Sequence, residues 1–146
     1  MRNPILLLAA LIALGSGFAV VVSARERVEV YKSPNCGCCK KWITHLENAG
    51  FEVRAHNVTD VPAARKQLGM PENLGSCHTA KVAGYVIEGH VPAADIQRLL
   101  REKPKALGIA VPSMPPGSPG MESPTPVSFD TLLVQPDGGT SVYAKH

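Results

Sequence analysis

The chain has 146 residues, of which 45% are hydrophobic, 18% charged and 5% aromatic. That is enough for one domain with a real core, and it excludes a disordered chain, a polytopic membrane protein and a cysteine-stapled miniprotein. The formal net charge is only +3, from 15 Lys+Arg against 12 Asp+Glu, and no basic run exceeds Lys40-Lys41, which argues against nucleic acid as a partner.

Arg2, the apolar stretch Ile5 to Leu14, the breakers Gly15, Ser16 and Gly17, a second apolar run from Phe18 and the small residues of Val22-Ser23-Ala24 describe a secretory signal over residues 1–24. Cleavage after Ala24 would start the mature chain at Arg25. An uncleaved single-span anchor is the rival reading, because Ile5 to Val22 is long enough to cross a bilayer, and only then is the membrane a partner. Both readings put the rest of the chain in the oxidising periplasm, where free thiols need a metal or a redox partner.

Arg27 to Lys32 alternates, with Val28 and Val30 on one side, and predicts a short strand. After the loop Ser33-Pro34-Asn35 a helix is expected from near Cys36 to Cys39, with Trp42, Leu46 and Ala49 on its inner face and Gly50 ending it. Phe51 to His56 alternates as a second strand. Asp60 can cap a short helix with Pro62 in its first turn, ending at Leu68-Gly69. Val82 to Glu88 reads as one buried strand and Gly89 as a turn, with a very short strand at His90-Val91. Pro92 then opens a helix whose inner face is Ile96, Leu99 and Leu100. The crossover helices imply parallel pairing and the Gly89 turn an antiparallel edge. This order predicts an α/β, thioredoxin-like domain of glutaredoxin size over residues 25–103.

From Pro104 to Pro126 seven of 23 residues are proline and three are glycine, a composition expected to hold neither a helix nor a central strand. Ser128 to Val134, then Pro136-Asp137-Gly138-Gly139, then Thr140 to Ala144, carry a hairpin signature. Residues 104–146 are thus expected to form a Pro/Gly/Met-rich loop and a hairpin that pack on the same domain.

The chemistry concentrates at two places. Cys36-Gly37-Cys38-Cys39 follows a strand and opens a helix, where the helix N-terminus stabilises a thiolate and a second sulfur resolves a mixed disulfide. If the site is redox active, Cys36 and Cys39 are the catalytic pair. Cys38 departs from that plan, since a Cys38–Cys39 bond is disfavoured by adjacent Cα atoms only about 3.8 Å apart. Three thiolates in four residues suit a thiophilic metal better than simple exchange. The second place is Ser76-Cys77-His78-Thr79, where thioredoxin-like proteins carry a cis-proline; no proline stands between Pro71 and Pro92. In such a fold Cys77 and His78 would lie beside the first cluster as soft ligands.

Thiolate, thioether and imidazole together favour Cu(I), whereas thiolate and imidazole alone also suit zinc. Met114 and Met121 decide only if the proline-rich segment folds back over the site. Four thiolates exceed the need of one low-coordinate Cu(I), so a bridged cluster of several ions is a further reading. His90 stands between ligand, surface residue and helix-approach residue. His45, His56 and His146 read as solvated, Trp42 as core, and Lys40 and Lys41 as a solvated face. Structural disulfides without metal, and a metal-free thiol–disulfide oxidoreductase acting on proteins, are the alternatives; the missing cis-proline and the surplus cysteines count against the second.

Cys-Gly-Cys-Cys, Ser-Cys-His-Thr-Ala (76–80), Gly-Tyr-Val-Ile-Glu-Gly-His-Val-Pro-Ala (84–93) and Val-Pro-Ser-Met-Pro-Pro-Gly-Ser-Pro-Gly-Met-Glu (111–122), in this order, resemble the CopG-type periplasmic copper proteins. The resemblance runs from about Val28 to the C-terminus. It implies a thioredoxin-like fold, copper bound as Cu(I) and a role in copper redox balance or resistance, with other periplasmic copper-handling proteins as partners. Carried over by residue, it implies Cys36, Cys38, Cys39 and Cys77 as thiolate ligands, with His78, His90, Met114 and Met121 in support.

Overall fold

A computed structural model describes residues 24–146, so the expected signal segment lies, apart from Ala24, outside the described residues. In chain order the elements are β1 (Arg27–Lys32), α1 (Gly37–Asn48), β2 (Glu52–Asn57), α2 (Val61–Gln67), one 3-10 turn (Glu72–Leu74), β3 (His78–Val82), β4 (Tyr85–Gly89), α3 (Ala93–Glu102), β5 (Gly108–Val111), β6 (Asp130–Val134) and β7 (Thr140–Lys145). The seven strands make one mixed sheet in the order β2-β1-β3-β4-β5-β6-β7. β1 pairs with β2, and β4 with β5, in parallel; the other four pairings are antiparallel.

The helices form where the apolar spacing and caps place them. In α1 the inner positions Trp42 and Leu46 are fully buried, and Cys36 caps the first turn by accepting the Cys39 N–H on its sulfur. In α2 the Asp60 carboxylate accepts the Ala63 N–H at 2.9 Å, with Pro62 in the first turn where its missing N–H costs nothing. In α3 Ile96 and Leu99 are buried and Leu100 half-buried.

Strand alternation divides the core in two. Val28, Val30, Ala80, Val82, Ile87, Ile109 and Val111 pack with α1 and α3. On the opposite face Val86, Ala110 and Val134 pack with Met70 of the loop after α2 and Leu74 of the 3-10 turn.

Four expectations are corrected. The single strand Val82 to Glu88 is instead a hairpin, β3 and β4, turning at Ala83-Gly84 with φ of 46° and 88°. Both residues are left-handed, as the two-residue hairpin turn requires, but alanine there gives no turn signal and the apolar run reads through it. The third strand is accordingly antiparallel to β1, not parallel. Gly89 ends β4 and the chain passes directly into α3; no strand forms at His90-Val91. The proline-rich segment does hold a central strand, because residues 105–111 lack proline and give β5, buried throughout between β4 and β6. Its Gly108 lies against β4 so closely that a Cβ would stand 1.8 Å from the Val86 carbonyl oxygen.

Backbone cannot yield as a flexible side chain does. Gly108→Ala is therefore expected to exceed the usual overpacking cost of about 1–3 kcal/mol. A fall in the chemical denaturation midpoint with an unchanged m-value would report it; an unchanged midpoint would contradict the β4–β5 contact.

Candidate metal centre

The topology explains why cysteines far apart in sequence meet. β1 ends at Lys32 and the chain turns at once into the cysteines of α1. β3 begins antiparallel to β1 with His78 opposite Lys32, so Cys77 is delivered to the first turn of that helix.

Ligand atoms of Cys36, Cys38, Cys39 and Cys77 all lie within 4.8 Å of one another. Cys36 and Cys39 are joined as a disulfide, while Cys38 and Cys77 carry free thiols. Cys38 Sγ is 3.5 Å from Cys36 Sγ and 3.6 Å from Cys77 Sγ, and Cys39 Sγ is 3.5 Å from Cys77 Sγ. A second group, Cys77, His78 and His90, satisfies the same spacing. His90 Nε2 is 3.0 Å and His78 Nδ1 3.4 Å from Cys77 Sγ. Cys77 is thus common to both groups.

Both imidazoles are fully buried. Burial pushes the His78 pKa down to about 3, helped by the neighbouring His90, and burial also lowers His90. His90 Nδ1 donates to the Pro119 carbonyl at 2.8 Å, which leaves Nε2 of the neutral ring as a lone pair aimed at Cys77. Burial raises the Cys77 thiol to about 12, with hydrogen bonding to Cys38 adding to the effect. Without a cation, the Cys77 S–H donates to His90 Nε2. Trp42 is core, as expected, but its ring also lies 4.3 Å from that of His78, and its Nε1–H donates to the Val91 carbonyl at 2.8 Å.

The proline-rich segment lies against this centre. Gly120, with φ of 86°, is so close that a Cβ would meet the Cys38 carbonyl at 2.7 Å and the Trp42 nitrogen at 2.9 Å. Glu122 accepts the Gly120 N–H at 2.8 Å and faces exposed Lys41 at 3.7 Å. Pro119, Gly120 and Glu122 were not legible as part of the site, since a glycine among prolines signals only a loop. Met121 lies half-buried beside Gly120 in a turn closed by its N–H to the Ser118 carbonyl; Met114 is 45% exposed.

The three histidines read as solvated are all engaged. His45 Nε2 accepts the Ala93 N–H at 3.0 Å, capping α3. His56 stacks on Tyr31 and pairs with Glu29. His146 stacks on Phe129 and lies 2.9 Å from the Asp95 carboxylate. Each partner comes from another element, so no local pattern announces it.

The donor set fits a soft cation. Four sulfurs surround one space with two neutral imidazoles beside it. The described residues hold no helix long and apolar enough to cross a membrane. Fold and site together define a mixed α/β protein with a sulfur- and imidazole-lined centre that could hold metal. A family model described as "Protein of unknown function, DUF411" matches residues 74–121. A solved structure titled copper resistance protein copG, form 2, is 44% identical over 84% of this chain and 99% of its own, with a TM-score of 0.80. Form 1 gives 44% identity over 84% and 98%, with a TM-score of 0.79. No curated protein matches. The chain belongs to the CopG family.

His45, His78 and His90 all have folded pKa values below the unfolded 6.5, so the fold favours their neutral forms. The stability they lend is complete above that value and is lost as pH falls toward the folded values. The loss approaches about 1.4 kcal/mol per pH unit for each histidine kept neutral. Denaturation of the metal-free protein between neutral pH and about pH 5 should show it. His45→Gln, which can still accept the Ala93 N–H, should reduce the slope; an unchanged slope would remove His45 from the account.

Proposed function

We propose that this is a periplasmic copper-handling protein that binds Cu(I), more than one ion per chain, through Cys36, Cys38, Cys39 and Cys77, with His78 and His90 completing the set. The observation that carries this reading is the convergence of four sulfurs within 4.8 Å, with two buried imidazoles on Cys77. Thiolate and imidazole donors select soft cations, and the family's copper resistance proteins favour copper over zinc. Met121, beside the Gly120 contact, and the exposed Met114 are supporting ligands in this reading.

The redox state of the cysteines governs capacity. The disulfide form offers two thiols, Cys38 and Cys77. Two electrons and two protons open the Cys36–Cys39 bond and yield four thiols. Each thiol that becomes a ligand releases its proton to solvent, and loss of the Cys77 proton leaves the lone pair of His90 Nε2 free to bind the ion. Loading with Cu(I) and thiol oxidation therefore oppose each other, a route to a copper/thiol oxidoreductase. The β2-β1-β3-β4 half, with the cysteines opening α1 after β1, is read as a thioredoxin-like core within residues 25–103. Residues 104–146 extend its sheet and cover the centre. The signal-like residues 1–24 support the periplasmic placement.

The Cys36–Cys39 disulfide also favours a second reading, a thiol–disulfide oxidoreductase acting on proteins without metal. Anaerobic Cu(I) titration of the reduced protein separates the two. More than one tightly held ion per chain is expected, with a sharp loss in Cys38→Ser. Release of copper to a modest competing chelator, together with insulin reduction by the metal-free protein, would replace the copper reading by the second.

A further inference from the structure

Two buried charges on the sheet face opposite α1 enter no ligand set. Arg65 of α2 and Glu88 of β4 are 4% and 0% exposed and pair through Arg65 Nε and Glu88 Oε1 at 2.9 Å. A buried ion pair offsets its desolvation only when further hydrogen bonds use its remaining groups. Here the bonds that are made converge on one residue, and Glu88 Oε2 is left buried without a hydrogen-bond partner. Arg65 Nη2 donates to the Ser76 carbonyl at 2.6 Å, and the Ser76 N–H donates to Glu88 Oε1 at 2.8 Å.

Ser76 precedes β3, so side chains hold both of its backbone groups where a strand partner would otherwise do so. Its hydroxyl donates to the Ser113 carbonyl, and the Ser113 N–H donates to the Gly75 carbonyl at 3.0 Å. The segment lies on β4 so closely that a Cβ at Gly89, where φ is 71°, would stand 2.7 Å from Ser76 Cβ. Ser76 adjoins Cys77, and Glu88 stands two residues before His90. One ion pair therefore ties together the two residues whose Sγ and Nε2 are 3.0 Å apart.

We infer that the Arg65–Glu88 pair is a positioning device for Cys77: by gripping the backbone of Ser76 it sets where the fourth sulfur stands relative to Cys38, Cys39 and His90, and thereby the Cu(I) affinity of the centre. The inference rests on the copper reading given above. Apolar residues of similar volume would fill the same space at little or no loss of stability. They would not hold the two backbone groups of Ser76. Replacing groups that orient a ligand typically lowers metal affinity by about 10- to 100-fold.

The test compares the reduced protein with Arg65→Met/Glu88→Leu in competitive Cu(I) titration against a chromophoric chelator. The double variant should unfold cooperatively and lose about 10- to 100-fold in affinity. In a Cys77→Ser background the same two substitutions should change affinity little, because the residue they position no longer offers its sulfur. Unchanged affinity overturns the inference. So does an equal loss in the Cys77→Ser background, which would mark general loosening. If the double variant does not fold, Glu88→Asp, which keeps the charge and shortens its reach, carries the same comparisons. A metal-free readout separates this inference from the copper reading. In Cys38→Ser with the Cys36–Cys39 disulfide formed, Cys77 is the one free thiol, and its alkylation should quicken severalfold when Arg65 and Glu88 are replaced. An unchanged rate overturns the positioning role even where copper binds; failure of the parent protein to hold Cu(I), with a quickened rate, sinks only the copper reading and leaves the pair as a device that places Cys77.

Discussion

Four sulfurs crowded around one space cannot all be thiolates unless positive charge lies among them. Two unit charges 3.5 Å apart, the spacing of several of these sulfurs, repel by about 5 kcal/mol at the effective dielectric of a protein. Two arrangements relieve this repulsion. In one, a pair of sulfurs is covalently joined and the others stay protonated, as the Cys36–Cys39 bond and the raised pKa of Cys77 have it. In the other, cations replace the protons. The neighbouring histidines are consistent with both, because burial keeps them uncharged and able to accept a hydrogen bond or donate a lone pair to a metal. A cationic imidazole there would compete with metal for the same electrons.

The centre is built by three parts of the chain with different jobs. The first turn of α1 and its cap residue Cys36 supply three cysteines, where the backbone fixes their spacing. The start of β3 supplies Cys77 and His78, and the β4–α3 junction supplies His90. The proline-rich loop supplies the Pro119 carbonyl that selects the tautomer of His90. This is the work of an outer ligand shell, in which a partner on the far side of an imidazole decides which nitrogen faces inward.

What was legible in the sequence was whatever local chemistry fixes. Trp42 and Leu46 at helical spacing, Asp60 with Pro62 behind it, and the strand–turn–strand pattern near the C-terminus each carry their own signal. The meeting of Cys77 with Cys36, Cys38 and Cys39 followed from the expected fold, and holds although the strand directions in that expectation were partly wrong. The illegible parts share a cause. Ala83 adopts a left-handed turn without the residue types that turn favours, and β5 hides among prolines because only their spacing, not their number, permits it. His45, His56 and His146 have partners on other elements, and a solvated histidine looks the same in one dimension. Arg65 and Glu88 are 23 residues apart and resemble surface charges until the sheet encloses them.

The loop over the centre leaves from β5 and returns into β6, and these strands are paired neighbours. Its ends are therefore held together by the sheet, whatever the loop itself touches. The entropy of such a closed segment grows slowly with length, by only about 0.6 kcal/mol for each doubling. Insertions or deletions between Val111 and Asp130 thus leave strand pairing intact while reshaping the roof above the sulfurs. Changes of length or composition there that spare Ser113, Pro119, Gly120 and Met121 would alter access to the centre, while the cysteines and histidines beneath stay where the sheet and α1 put them.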